Sequence, residues 1–235
     1  MTPFSDPDAV ARYAEGPIRQ VPGFLALQTM ATLLLAERVP TDGRVLVLGA
    51  GGGLELKAFA QAQPGWRLLG VDPSAPMLKL AADTLGPLAA RAELLEGLID
   101  DAPDTAFDGA SCLLTLHFLP PAQRLHTLRQ LRRRLKPGAP LVAAHHSVPA
   151  DDGDDAGSDT TDDGSRQRWL RRYAAFATAS GVPAADARRA IDAIAARLPL
   201  LTPQQDRALI EQAGFERVEL FYAGFTFRGW VGVAG

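Results

Sequence analysis

Between Val45 and Asp72 the sequence sets three glycines and one carboxylate at a spacing that suits a nucleoside ligand. Gly49, Gly51 and Gly53 stand at alternate positions after the unbroken apolar run Val45 to Leu48, and a helical pattern begins at Leu54. Without Cβ atoms the backbone turns sharply and can approach a ligand to contact distance. A second apolar run, Leu68 to Val71, ends in Asp72. Its carboxylate would project from the carboxyl edge of a neighbouring strand, where it can accept hydrogen bonds from both hydroxyls of a ribose. The dinucleotide fingerprint G-x-G-x-x-G does not fit. Counted from Gly49 its third glycine falls on Leu54, and counted from Gly51 it falls on Leu56. His117 ends the fourth expected strand, where an imidazole can serve as a general base. His145 and His146 are adjacent on a strand, so their side chains leave opposite faces and cannot share a metal. No cluster has zinc-ligand spacing.

The elements that must position these residues alternate. Strands are expected near 44–48, 67–71, 92–95, 107–114 and 139–145, with helices near 53–63, 75–85 and 121–136. Apolar runs without polar alternation suit parallel strands buried on both faces. The fold class is therefore α/β, a Rossmann-like, mostly parallel sheet with helices on both faces. Pro120-Pro121 opens the third of these helices and Lys136-Pro137-Gly138 closes it. Its stripe of Leu125, Leu128, Leu131 and Leu135 faces the sheet, and Arg129, Arg132, Arg133 and Arg134 lie on its solvated side. Residues 7–38 read as two helices around a break at Gly16-Pro17 and Pro22-Gly23. Thr202-Pro-Gln-Gln205 has the form of a capping box, and Gly214 ends that helix. The runs 215–223 and 225–233 form a hairpin through the short Ala223-Gly224 connection.

One domain accounts for all 235 residues. Its parts are an N-terminal helical lid (1–40), a core carrying the ligand edge (41–148), an Asp/Gly-rich loop (149–165), a helical insertion after strand 5 (166–200) and a closing helix with a β-hairpin (201–235). The tract Asp151 to Ser165 has seven aspartates and no large apolar residue, and is expected to be mobile. A formal charge of −3 and a pI near 5.8 give no general electrostatic reason for nucleic-acid binding. No apolar run approaches the roughly 20 residues of a membrane span. Met1-Thr-Pro-Phe-Ser-Asp lacks the build of a signal peptide. A single cysteine, Cys112, within a strand-like apolar run fits a reducing cytoplasm and an inert buried thiol. Oligomeric state is open, a homodimer included.

The pattern Gly49-x-Gly51-x-Gly53 resembles motif I of the class I S-adenosylmethionine (SAM)-dependent methyltransferases, and Asp72-Pro-Ser-Ala-Pro-Met77 resembles their acidic second-strand motif. The resemblance implies a seven-stranded sheet with one late antiparallel strand, SAM as cofactor and S-adenosylhomocysteine (SAH) as product. It places Gly49, Ala50, Gly51 and Gly53 against the methionine part and ribose, Asp72 on the ribose hydroxyls, and Pro73 and Met77 near the adenine. Leu98 and Ile99 would border the ring, and Thr115 would lie at the same edge. Relatives usually carry an acid where Leu98 stands, and many carry one in the first strand where Val47 stands. Which group meets the SAM ammonium is therefore open.

A second set of residues is similar to the carboxy-SAM synthase family: Arg19-Gln-Val-Pro-Gly-Phe24, Leu116-His-Phe-Leu-Pro120, Leu201-Thr202, Ala213-Gly-Phe-Glu216 and the stretch from Glu219-Leu-Phe-Tyr222 to Trp230. That family has the methyltransferase fold but builds a carboxylated SAM from SAM and prephenate, for wobble-uridine modification of tRNA. By this resemblance Arg188 or Arg189 would hold the added carboxylate, with Arg19 in the N-terminal motif. Phe24 departs from the family's tyrosine. The resulting expectation is a cytoplasmic SAM-dependent methyltransferase acting on a small molecule, with His117 as base and Tyr13, Arg19, His145, Arg188 and Arg189 on the acceptor side. A carboxy-SAM synthase-like enzyme and a noncatalytic SAM-binding protein are the alternatives.

Overall fold

The computed structural model describes residues 16–149 and 164–235. Seven strands form one sheet: β1 (Arg44–Leu48), β2 (Arg67–Asp72), β3 (Ala92–Glu96), β4 (Gly109–Leu113), β5 (Pro140–His146), β6 (Phe215–Gly224) and β7 (Phe227–Ala234). Their order is β3-β2-β1-β4-β5-β7-β6. The first five are parallel, and β7 runs antiparallel to both β5 and β6. The order reverses between β1 and β4, so the crevice outside their carboxyl ends is where this topology admits a ligand.

Helices α1 (Gly16–Gln20), α2 (Phe24–Ala36), α3 (Leu54–Ala62), α4 (Ala75–Leu85), α5 (Pro121–Arg133), α6 (Ser165–Ala179), α7 (Ala184–Arg197) and α8 (Pro203–Gln212) complete the described chain. Strand alternation sorts the core into two layers. Val45, Val47, Leu113, Val142 and Ala144 face α2, α3, α4, α6 and α7. Leu46, Leu48, Ala110, Cys112, Leu141 and Ala143 face α5 and α8. The Leu128–Leu131 stripe of α5 is buried as the spacing predicts, and Thr202 caps α8 in a full capping box with Gln205.

Three boundaries moved. Gly16-Pro17 stands at the start of α1, and within the described residues the break falls at Pro22-Gly23, where Gly23 takes φ 65° ahead of α2. Phe107 lies before β4 and makes a lone bridge to Leu135. The hairpin turns at Phe225-Thr226 rather than Ala223-Gly224. Gly224 is the last residue of β6, and a Cβ there would come 2.8 Å from the Tyr222 hydroxyl. Of the expected lid, α2 is a layer of the sheet with Leu27, Ala31 and Leu35 fully buried. Tyr13 and the Asp-rich tract up to Asp163 lie outside the described residues. Among the described residues no helix is long and apolar enough to cross a membrane.

Candidate active site

The loop from β1 into α3 depends on backbone angles that a Cβ disfavours. Gly49, Gly51 and Gly53 have φ of 76°, 49° and 81°. Gly49 and Ala50 both donate their N–H groups to the Val71 carbonyl, at 2.8 and 3.1 Å, hanging the loop on the end of β2. Gly49 leaves no room for a Cβ against the Thr115 side chain, and a Cβ on Gly53 would come 2.7 Å from the Ala81 Cα in α4.

Asp72 clasps this loop. Its Oδ2 accepts from Gly51 N–H and its Oδ1 from Ser74 N–H, each at 2.9 Å. Burial raises its pKa, and the two N–H bonds work against that rise. Each oxygen retains a further acceptor site, so the half-buried carboxylate can also take a ribose diol. The residues present therefore fit the nucleoside part of SAM. Pro73 is exposed beside the carboxylate, and Met77 is buried in the first turn of α4 behind the Ser74 cap.

At the next strand Leu98 is 58% exposed, whereas Ile99 turns into the α5-side core. Of the two side chains expected to border an adenine, only Leu98 is open to a ligand, and Ile99 is turned away from the surface. Asp100 pairs with His126 of α5 at 3.0 Å instead of facing the crevice, and Asp101 accepts the Leu98 N–H.

Beyond β4, His117 lies in a short turn, 5% exposed, and its Nδ1 accepts the His146 N–H at 3.3 Å. A backbone N–H can only donate, so Nδ1 carries the lone pair and Nε2 the proton. Burial first, then His146, His145 and Arg124, hold its pKa well below the usual histidine value. The expected base role is corrected accordingly: the Nδ1 lone pair is occupied, and Nε2 carries the proton. His146 stacks on Phe227 at 3.9 Å and stands 4.9 Å from the His117 ring and 5.4 Å from Tyr173. Its Nδ1 bonds the Thr226 hydroxyl at 2.9 Å. Burial lowers its pKa to about 3 and raises that of Tyr173 to about 12. With Phe118, these rings form an uncharged aromatic wall beside the β4 end.

His145 leaves the other face. It is 1% exposed, 5.2 Å from Trp230 and 3.1 Å from the Asp206 carboxylate, which also pairs with Arg124. It therefore does not line the crevice, contrary to its expected acceptor role. Burial pushes Asp206 up, but His145 and Arg124 hold its pKa below the usual carboxylate value. Arg124 also donates to the Pro199 carbonyl at 3.1 Å. Arg19 is exposed in α1, and Arg188 and Arg189 are exposed on α7, outside its buried seam of Ala187 and Ile191. Arg189 pairs with Asp186. A cavity of about 410 Å³, lined by Arg44, Arg67, Arg91, Glu93 and Phe107, opens at the opposite, amino edge of the sheet and has no part in this site.

Sequence reasoning put His146 at this edge but gave the acceptor role to His145, and it missed Tyr173 and Glu55. Leu170, Tyr173, Ala174 and Ala177 recur at helical spacing, a signal that marks Tyr173 as inward-facing but not what it faces.

A family described as "Methyltransferase domain" matches residues 46–141, the segment that holds the glycine loop, Asp72 and the turn after β4. The seven-stranded fold around that segment is the one shared by the class I SAM-dependent methyltransferase superfamily. The chain is 26% identical over 215 residues to a carboxy-S-adenosyl-L-methionine synthase of Actinobacillus succinogenes, covering 89% of this chain and 84% of that one. The same fold recurs in a Haloferax volcanii complex with the Trm112 methyltransferase activator (20% identity, TM-score 0.67, 98% of this chain and 97% of that one). It recurs also in human N-acetylserotonin methyltransferase in complex with SAM (13% identity, TM-score 0.62, 99% of this chain and 57% of that one).

Proposed function

We propose that this chain binds SAM across the carboxyl ends of β2, β1 and β4 and transfers the methyl group to a small-molecule acceptor, leaving SAH. The clasp of Asp72 on Gly51 carries this reading, because it fixes a glycine loop and a diol acceptor together at the strand-order reversal. SAM when bound supplies a methyl group already activated on a sulfonium sulfur. The task left to the protein is alignment and exclusion of water. In this reading Asp72 grips the ribose, Gly49 to Gly53 let the main chain close on the ligand, and the aromatic wall of His117, Phe118, His146 and Tyr173 presents the acceptor. In this reading the Nε2–H of His117 hydrogen-bonds an acceptor heteroatom. An acceptor that is nucleophilic without a protein base suits this wall, since the His117 lone pair is held by His146 N–H.

Calorimetry with SAM and SAH tests the reading, followed by screening of small-molecule acceptors for SAH release. No heat with either nucleoside on folded protein overturns it. The carboxy-SAM synthase relatives support a second reading, in which the chain makes or holds a carboxylated SAM. Mass spectrometry of ligand released from purified protein separates the two: a carboxylated SAM favours the second, SAM or SAH the first. Tight SAM binding without turnover of any acceptor would indicate a binding protein.

A further inference from the structure

Glu55 occupies the first turn of α3, two residues beyond Gly53, and is 7% exposed. Its Oε1 is enclosed and meets no donor. The Ser111 hydroxyl stands beside the carboxyl and favours its ionised form, yet it is not aligned for a full hydrogen bond. Ser111 is the register partner of Val47, so the two side chains are neighbours on the α3 face of the sheet. β1 thus offers only a valine at the base of the glycine loop, and a carboxyl reaches the same place from the helix. No lysine, arginine or histidine among the described residues pairs with it. An enclosed carboxyl with an unpartnered oxygen is costly, and a cation is the group that relieves it.

We infer that Glu55 receives the α-ammonium of the methionine portion of SAM, supplying from α3 the charge that Val47 does not supply from β1. The inference rests on the cofactor reading above. Asp72 fixes the ribose on the β2 side of the glycine loop, and Glu55 marks where the amino-acid end must reach, on the β4 side. Burial raises the Glu55 pKa to about 8, with Ser111 opposing, so the ligand-free protein holds this carboxyl protonated at pH 7. Cys112, the titratable neighbour on β4, is pushed up further by burial and stays neutral. Pairing with an ammonium therefore releases a proton.

The test is calorimetry on the full chain with SAH and with its deaminated analogue, S-adenosyl-4-thiobutyrate. Wild-type protein is expected to prefer SAH by about 10- to 100-fold, the scale of one charge-assisted hydrogen bond. In Glu55→Gln that ratio should fall to within about threefold, and a ratio is insensitive to any general weakening of the fold. Independently of the variant, SAH binding by wild type at pH 7, measured in buffers of differing ionisation enthalpy, should release most of one proton, and the analogue should release none. An unchanged ratio in Glu55→Gln, or a wild-type ratio near one, overturns the inference. If wild type binds neither nucleoside, the cofactor reading itself fails.

Discussion

The ionisable groups of this site are set by burial more than by one another, and that makes them testable one at a time. Asp72→Ala removes the clasp on Gly51 and, with it, the proposed acceptor for the ribose diol. Calorimetry should show SAM affinity lower by roughly 1–3 kcal/mol, with the fold retained by circular dichroism. Glu55 holds in the folded state a proton that the unfolded chain releases above about pH 4.5. Folding stability should therefore fall as pH rises toward 8, by about 1 kcal/mol between pH 7 and 8. His117 and His146 act with the opposite sign, since burial holds their folded pKa values below the usual 6.5. Their contribution is lost only as pH falls below 6.5. Urea unfolding of the ligand-free protein at pH 7 and 8 isolates Glu55, and Glu55→Gln should abolish the difference. By nitrogen NMR, neither the His117 nor the His146 ring should titrate between pH 5 and 8, with His117 in the Nε2–H form. A His117 midpoint near 6.5 would restore its candidacy as a base. Asp72 was legible in the sequence because an apolar run ending in an acid is itself a strand-end signal. Glu55 was not, because a glutamate in a helix's first turn reads as an exposed partner of the helix dipole.

At the scale of elements, two contacts decide how the site is held. Gly53 brings α3 against α4, and a Cβ there would meet the Ala81 Cα and carbonyl, backbone atoms that no rotamer change can move aside. Gly53→Ala also keeps a strained φ of 81°, so a cost of about 2–5 kcal/mol is expected in denaturant unfolding. The other contact is the enclosed charge cluster of Arg124 from α5, Asp206 from α8 and His145 from β5. Removing one partner strands the rest without water. Arg124→Met should cost about 3–5 kcal/mol, and Arg124→Met combined with Asp206→Leu should cost less than the two changes summed. This cluster explains why His145 was misassigned. Alternation says that His145 and His146 leave opposite faces, but which face meets the crevice depends on where α6 and α8 pack, far away in sequence.

For the whole molecule, the strands β1 to β5 were legible because unbroken apolar runs between glycine and proline signals have few other uses, and the late hairpin followed from its short connection. The covering of the crevice was not legible, because its residues sit in helices whose patterns name an apolar face without naming its partner. A ligand that bridges β2, β1 and β4 should stabilise the folded chain as a unit. SAM at about 100 times its dissociation constant is expected to add about 2.7 kcal/mol, or roughly 5–10 °C in a thermal scan. No shift at saturating SAM would contradict binding to the native state. The sheet order carries one more consequence. β7 comes after β6 in sequence yet slots between it and β5, so during synthesis the outer edge of β5 stays bare until residues 227–234 have emerged. Phe227 and Thr226, which hold the His146 ring, arrive with that same segment. Assembly of the aromatic wall thus waits for translation of the hairpin, and a ribosome-stalled chain lacking it would display a sticky, unpaired border where the finished protein has none.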